Sequence, residues 1–206
     1  MPAARYYSPR REDAAAATRT AILTHALRLF LEHGYAGVTV TQIAKAAEVA
    51  PQTVYASAGG KAGILAALFR PILEDTTAKE ANGAGRDTTD PRQVIALAAA
   101  GTRHVSEQYR DLLNDLVRQA PGEPAAQEVV DTVMAKCLLG LSGVADRLIE
   151  LGVLRAGIDR EQAIDTLWFY FGHNAWYGLV ADRGWPWDRA QAWLGDGACR
   201  ALLNQD

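Results

Sequence analysis

The sequence predicts an all-α fold: an N-terminal three-helix unit of helix-turn-helix type, followed by a larger helical domain. Three observations carry this. Apolar residues recur with a helical period along nearly the whole chain, and no segment shows the alternation of a half-buried strand. Glycines and prolines fall where helices would begin or end. Two short amphipathic patterns, in the segment Val38 to Lys61 ("VTVTQIAKAAEVAPQTVYASAGGK"), are separated by a break of only three residues.

The elements follow in order. In "TRTAILTHALRLFLEHG", Ile22, Ala26, Leu29 and Phe30 form one apolar face, and Gly34 is placed to end the helix. Val40, Ile43, Ala44 and Ala47 mark a second, shorter helix, with Thr39 as N-cap and Gln42 completing a capping box. Pro51 stands where a third helix begins, and Val49 and Val54 flank its start as a hydrophobic staple would. A fourth helix runs from about Lys61, with a kink or break expected at Pro71. The composition of "EANGAGRDTTDP" reads as a loop and a candidate boundary. Apolar helical stretches then cover about 91–118, 124–152, 160–182 and 188–204, parted by "APGEP", "LGVLRAGID" and "RGWPWD". The expected organisation is a flexible arm at 1–17, a helix-turn-helix domain at 18–62 and a helical domain at 63–206.

Composition bounds the function. The 206 residues suffice for a real core, and 49% apolar with 22% charged residues is ordinary for a soluble protein. No run of 18 apolar residues and no secretory signal is visible, so the expectation is a cytoplasmic protein without a membrane partner. Net charge is −3, unevenly spread. Residues 1–62 hold seven Lys or Arg against four acids, a net +3, which leaves −6 on the rest. A basic head on an acidic body suits a small DNA-reading unit joined to a ligand or partner domain.

Enzyme classes find little footing. No nucleophile–base pair or carboxylate–His cluster appears, so no catalytic residue and no cofactor is expected. "GGK" invites a phosphate-loop reading, but that pattern needs Gly at 55 and Ser or Thr at 62, where the chain has Tyr55 and Ala62. His25, His33, His104 and His173 lack metal spacing. Cys137 and Cys199 lie in apolar stretches and read as reduced, buried side chains.

A helix-turn-helix needs two short helices held rigidly so that the second enters the major groove. Ile43, Ala44, Ala47, Val49 and Val54 supply the buried side, which leaves Gln52, Thr53, Tyr55, Ala56 and Ser57 outward. Gln pairs with adenine, Thr contacts a thymine methyl or a phosphate, and Tyr and Ser donate to phosphates. The DNA-binding set is therefore Thr39, Thr41, Gln52, Thr53, Tyr55, Ser57 and Lys61, and the partner is double-stranded DNA. The N-terminal "RYYSPRR" reads as a disordered tail, with an arm whose arginines reach an adjacent minor groove as the alternative.

These residues resemble the DNA-binding segment of the TetR family of transcriptional repressors. The family pattern runs roughly A-x-x-x-F-x-x-x-G-[YF], then T-x-x-x-I-A-x-x-A-G-V-[ST]-x-x-T-[LV]-Y, then K-x-x-x-L. Matching it are Ala26, Phe30, Gly34, Tyr35, Thr39, Ile43, Ala44, Ala47, Val49, Thr53, Val54, Tyr55, Lys61 and Leu65. The stretch from "LRAGID" to "CRALL" is similar to the C-terminal part of many actinobacterial members. Three positions depart from the pattern. Glu48 replaces a turn glycine, Ala50 replaces a Ser or Thr cap, and Ala58 replaces a large aromatic. Each is a support of the reading head rather than a base contact.

The resemblance implies a homodimer on a palindromic operator, with the last two helices pairing across the two-fold axis. Trp168, Trp176 and Trp193 are candidate anchors of that interface. It also implies a small-molecule pocket, with His104, Tyr109, Asn114, His173, Asn174 and Tyr177 as candidate polar groups. The abundance of Ala, Leu and aromatics predicts a largely apolar or aromatic effector that lowers operator affinity. The alternative is a ligand-binding or protein-interaction module whose helix-turn-helix no longer binds an operator tightly.

Overall fold

The structure, a computed structural model, describes residues 9–117 and 124–204. Ten α-helices appear among them, with no strand beyond one isolated antiparallel bridge between Leu154 and Leu203. Helix α1 spans Pro9–His33, α2 Val40–Ala46, α3 Pro51–Ala58, α4 Gly60–Glu74 and α5 Thr77–Asp87. Helix α6 spans Pro91–Gln108, followed by π-helical turns at Leu112–Val117. Helix α7 spans Pro124–Glu150, α8 Arg160–Phe171, α9 His173–Trp176 and α10 Trp187–Leu202, with a second π-helical segment at Tyr177–Asp182. None of the described helices is long and apolar enough to cross a membrane.

The chain divides into two compact units: Met1–Arg70 with Asp115–Val129, and Pro71–Asn114 with Val130–Asp206. In the first, α1, α2 and α3 pack mutually around Ile22, Ala26 and Phe30 of α1, Ile43 and Ala44 of α2, and Val54 of α3, all at most 1% exposed. The Phe30 and Tyr35 rings stack at 5.0 Å in a tilted pair, fastening the end of α1 to the turn before α2. In the second unit, one core joins Val94, Ile95 and Ala98 of α6, Val144 and Leu148 of α7, Leu167 and Phe171 of α8, and Leu194 and Leu202 of α10. The buried residues on α6 at 94, 95, 98 and 99 fall at helical spacing on one face.

Several expectations change. The arm at 1–17 is too long: residues 9–17 form the first turns of α1, where Glu12 favours the N-terminus and Ala14–Ala17 have the highest helix propensity. Residues 1–8, with Arg5 of the proposed minor-groove arm, lie outside the described residues, as does most of "APGEP". The "EANGAGRDTTDP" loop is instead mostly helix α5, and only Thr88–Asp90 are extended. Its glycines lower propensity, yet α5 packs along α6, with Gly85 buried where a Cβ would make only ordinary contact with Val94 at 4.0 Å. Tertiary packing overrides the local preference. The single helix expected at 160–182 breaks at Gly172, whose backbone is extended. A side chain there would meet the Trp168 carbonyl at 2.5 Å. Pro71, expected to kink or break α4, does not end it and lies within it, three residues from its end.

Candidate nucleic-acid interface and cavity

The reading head is built around its turn. Helix α2 begins at a full capping box: the Thr39 backbone N–H donates to Gln42 Oε1 at 2.7 Å, and Gln42 N–H donates to Thr39 Oγ1 at 3.3 Å. It ends in a Schellman motif. Val49 N–H donates to the Ala44 carbonyl at 2.9 Å, and Glu48 N–H donates to that of Lys45 at 3.3 Å. Closing both bonds forces a left-handed residue between them, and that residue is Glu48, with φ of 54°. Among the described residues it alone, glycines apart, has positive φ. A side chain in this conformation costs about 1 kcal/mol relative to Gly.

Helix α3 starts without a side-chain cap, since Ala50 has none to offer, although Thr53 N–H donates to the Ala50 carbonyl at 2.9 Å. Pro51 holds the first turn. Val54 and Ala58 are buried, so the Ala58 position forms part of the packed face despite its small side chain. The chain closes up against it, because a Cβ on Gly63 of α4 would collide with the Ala58 carbonyl. Arg19 of α1 donates from Nη1 to the Ser57 carbonyl, tying α1 to the end of α3.

Of the sequence-derived DNA-binding residues, Thr41, Gln52 and Tyr55 are exposed, Tyr55 at 59%, while Thr53, Ser57 and Lys61 are half-buried. Thr39 is exposed but its hydroxyl is engaged with Gln42 Oε1 at 2.8 Å. Lys61 places Nζ 4.3 Å above the Tyr35 ring centre, which fixes a cation at the start of α4. Gly60 supports the Tyr55 ring directly: a Cβ at Gly60 would lie 2.9 Å from Tyr55 Cε1. This residue was missed in the sequence, where "GGK" was weighed only as a phosphate loop.

In the second unit, α5, α6 and α7 surround a cavity of about 440 Å³. Its walls are mostly apolar, with Val105, Val133, Met134 and Phe171 among them. Cys137 also lines it, its thiol pushed up to about 11 by burial, so it meets a ligand as a neutral group. Asp75 is the buried acid of the wall, its side chain 9% exposed. Its Oδ1 accepts from Thr77 N–H at 2.9 Å. Its Oδ2 accepts from the Tyr109 hydroxyl at 2.9 Å and lies 3.1 Å from His104 Nε2. Burial alone would raise this carboxyl, but the hydrogen bonds together hold it below its ordinary value. Burial and the bond to Asp75 push the Tyr109 phenol up.

Of the six expected pocket groups, His173 lines the cavity directly, and His104 and Tyr109 reach it through Asp75. Asn114 and Tyr177 line a separate small depression, shared with His173 and Arg110. Asn174 is exposed and lines neither. Lys79 and Arg86 of α5 line the cavity and were missed, because Lys79 read as the end of the fourth helix and Arg86 as part of the loop that follows it.

One interface expectation fails. Trp176 is buried within its own unit, with its ring 5.9 Å from that of Trp187, and has no surface to offer a partner. Trp168 is half-buried against the same core, whereas Trp193 is 48% exposed on α10. Phe169 on α8, 72% exposed, was missed.

The sequence profile of bacterial regulatory proteins of the TetR family matches residues 22–68, the segment that holds α2, the Schellman turn and α3. Residues 22–68 thus carry the DNA-binding segment of the TetR family of transcriptional regulators. The chain is 26% identical over 152 residues to the uncharacterized HTH-type transcriptional regulator YdeS of Bacillus subtilis (strain 168), covering 73% of this chain and 74% of that protein. It shares its fold with NalD, the secondary repressor of the MexAB-OprM multidrug efflux pump in Pseudomonas aeruginosa. The TM-score is 0.75 at 22% identity, over 94% of this chain and all of that one. It likewise shares the fold of SmeT, from Stenotrophomonas maltophilia, in its triclosan complex, with a TM-score of 0.68 at 23% identity over 92% and 93% of the two chains. This segment and the regulator relative together make the protein a DNA-binding regulator.

Proposed function

We propose that the protein is a cytoplasmic transcriptional repressor that binds a palindromic operator as a homodimer, and that a small, largely apolar effector in the α5–α6–α7 cavity lowers its DNA affinity. It acts by binding rather than by catalysis. The observation that carries the reading is the outward face of α3, where Gln52 and Tyr55 stand exposed over a buried Val54–Ala58 face. Gln52 and Thr53 read bases; Tyr55, Thr41, Ser57 and Lys61 hold phosphates. Thr39 serves mainly by capping the helix that carries Thr41. A single recognition helix reads few base pairs, so useful specificity calls for two half-sites and a dimer. Phe169 and Trp193 are the exposed aromatics of α8 and α10 that would anchor it.

The effector reading draws on the cavity, whose volume lies in the range of small-molecule sites. The triclosan complex of SmeT, a structure of the same fold, lends it support. The energetic demand is small, since a tenfold loss of DNA affinity needs about 1.4 kcal/mol of coupling. Selection of bound sites from genomic fragments, repeated with and without candidate ligands, tests both halves. Recovery of a palindromic motif that triclosan-like ligands release is the expected result.

A second reading, a ligand-binding module without tight operator binding, draws on the strained Glu48 and the uncapped Ala50. Against it stand the closed Schellman bonds and the buried Ala58. The absence of any specific mobility shift with the protein's own promoter DNA at moderate salt would favour it.

A further inference from the structure

The charges on the cavity wall are unequally committed. Asp75 uses both oxygens within the fold, on Thr77, Tyr109 and His104. Lys136 of α7 is spent as well: its Nζ donates to the carbonyls of Ile72 at 3.1 Å, of Leu73, and of Asp75 at 3.4 Å, closing the C-terminal end of α4. What remains is Lys79 and Arg86. Both line the cavity from α5, both are exposed, and neither has a hydrogen-bond partner among the described residues. Arg86 lies near enough to Asp146 to help hold its carboxyl down, but that carboxylate is already engaged by Arg160 in two bonds of 2.6 and 3.1 Å. The uncommitted charge at the cavity is therefore positive.

The same residues mark the cavity's mouth. Lys79, Gly83 and Arg86 are spaced by four and three, so they share one face of α5. Opposite them on α7 lie Leu139, Gly140 and Gly143, also on the cavity wall. Leu139 is 75% exposed although it lines the cavity, which places the opening there. A Cβ at Gly83 would meet nothing within 4 Å, and one at Gly143 would lie 3.5 Å from Arg86 Nη2. The slot is thus glycine-lined, with a guanidinium reaching across one end. Behind it the wall turns apolar at Val105, Val133 and Phe171.

Resting on the effector reading above, we infer that the effector is an amphiphile with an acidic head, carboxylate or phosphate. Its apolar chain lies against Val105, Val133 and Phe171, and its head is held in the α5–α7 slot by Lys79 and Arg86. An Arg fork and a Lys point charge suit either anion, and in a partly desolvated slot their bonds to it are of the stronger, charge-assisted kind. A cationic head would face two uncompensated cations, and a neutral head would leave them without a partner.

Titration calorimetry with the full chain and four ten-carbon probes below micelle-forming concentrations tests this: decanoate, decyl phosphate, decanol and decyltrimethylammonium. At least one acidic probe should bind tenfold or more tightly than decanol, and decyltrimethylammonium should bind least. Whichever acid binds tighter identifies the head. Charge reversal in a Lys79→Glu, Arg86→Glu double variant should abolish the acidic preference, so that neither acid binds more tightly than decanol. Equal binding of decanol and both acids, or an acidic preference that survives charge reversal, overturns the inference and leaves the cavity as the effector site. Gly83→Phe, which fills the open mouth, separates the two failures. If decanol binds the wild type and this variant equally, or if no probe binds at all, the cavity reading fails and the inference with it.

Discussion

The Val49 N–H donates to the Ala44 carbonyl at 2.9 Å across Glu48, the described residue other than glycine that has positive φ. This bond aims α3. It fixes the three-residue corner between α2 and α3, and hence the direction in which Gln52 and Tyr55 face. The corner is closed at a local cost, because Glu48 adopts a conformation that favours Gly. Glu48→Gly should therefore stabilise the protein by about 1 kcal/mol without altering operator choice. Chemical denaturation of the two proteins checks it, and a less stable variant would show that the Glu48 side chain contributes something beyond the backbone.

The start of α3 has a matching deficit. Ala50 sits at the N-cap with extended backbone angles and no side-chain acceptor. Ala50→Ser or Ala50→Asp supplies one, with an expected gain of about 1 kcal/mol. Ser should preserve DNA affinity. Asp should gain the same stability yet weaken DNA binding, since it adds a negative charge beside the phosphates, and the deficit should persist at high salt far less than at low salt. Equal affinity of the two variants at low salt would place Ala50 away from the DNA.

Tyr55 and its neighbours divide between phosphate and base. Tyr55→Phe removes one hydroxyl and should weaken binding by about 1 kcal/mol, or roughly fivefold, on every sequence alike. A Gln52→Ala, Thr53→Ala double change should instead relax preference at particular base pairs. Site selection with both variants distinguishes the outcomes, and an unchanged motif from the double variant would move the recognition helix elsewhere.

Asp75 predicts a pH dependence. Hydrogen bonds from Thr77, Tyr109 and His104 hold its folded-state carboxyl below the ordinary 3.8. A lowered folded value means stability that is fully present above that pH and is lost as pH falls through the folded value. Asp75→Asn should thus be less stable than the wild type at neutral pH, with the gap closing as pH drops below 3.8. Paired thermal melts from pH 7 to pH 3 measure the gap; a constant difference would mean that the ionised carboxylate is not what holds Tyr109 and His104.

How much of this was legible in the sequence depended on where the deciding force acts. The capping box at Thr39 and Gln42, the apolar stripe of α1 and the outward face of α3 are local patterns, and each appears where the sequence puts it. The positive φ at Glu48 was legible only as a departure from a glycine pattern. Helix α5 was not legible, because Gly83 and Gly85 disfavour a helix and only packing on α6 recovers it. With α5 hidden, Lys79 and Arg86 had no face to share. The break at Gly172 was hidden for a different reason. The apolar period runs straight across it, and the constraint is steric, between Gly172 and the Trp168 carbonyl.

The exposed aromatics of α8 and α10 give the last prediction. Phe169 is 72% exposed and packs its ring against Tyr170 edge-on at 5.2 Å, while Trp193 packs against Trp185 at 6.0 Å. The two helices approach closely where a Cβ on Gly197 would collide with the Tyr170 ring, one residue from Phe169 and one helical turn from Trp193. Such large apolar groups on neighbouring helices are what a subunit interface buries. Phe169→Glu should leave the fold intact, since the side chain contributes nothing to the core, and should weaken self-association by about 2 kcal/mol, or roughly thirtyfold. Trp176→Phe is the contrast: buried within its own unit, it should lower thermal stability and leave association unchanged. Sedimentation equilibrium on both variants decides. If Phe169→Glu associates like the wild type, the interface lies on another face.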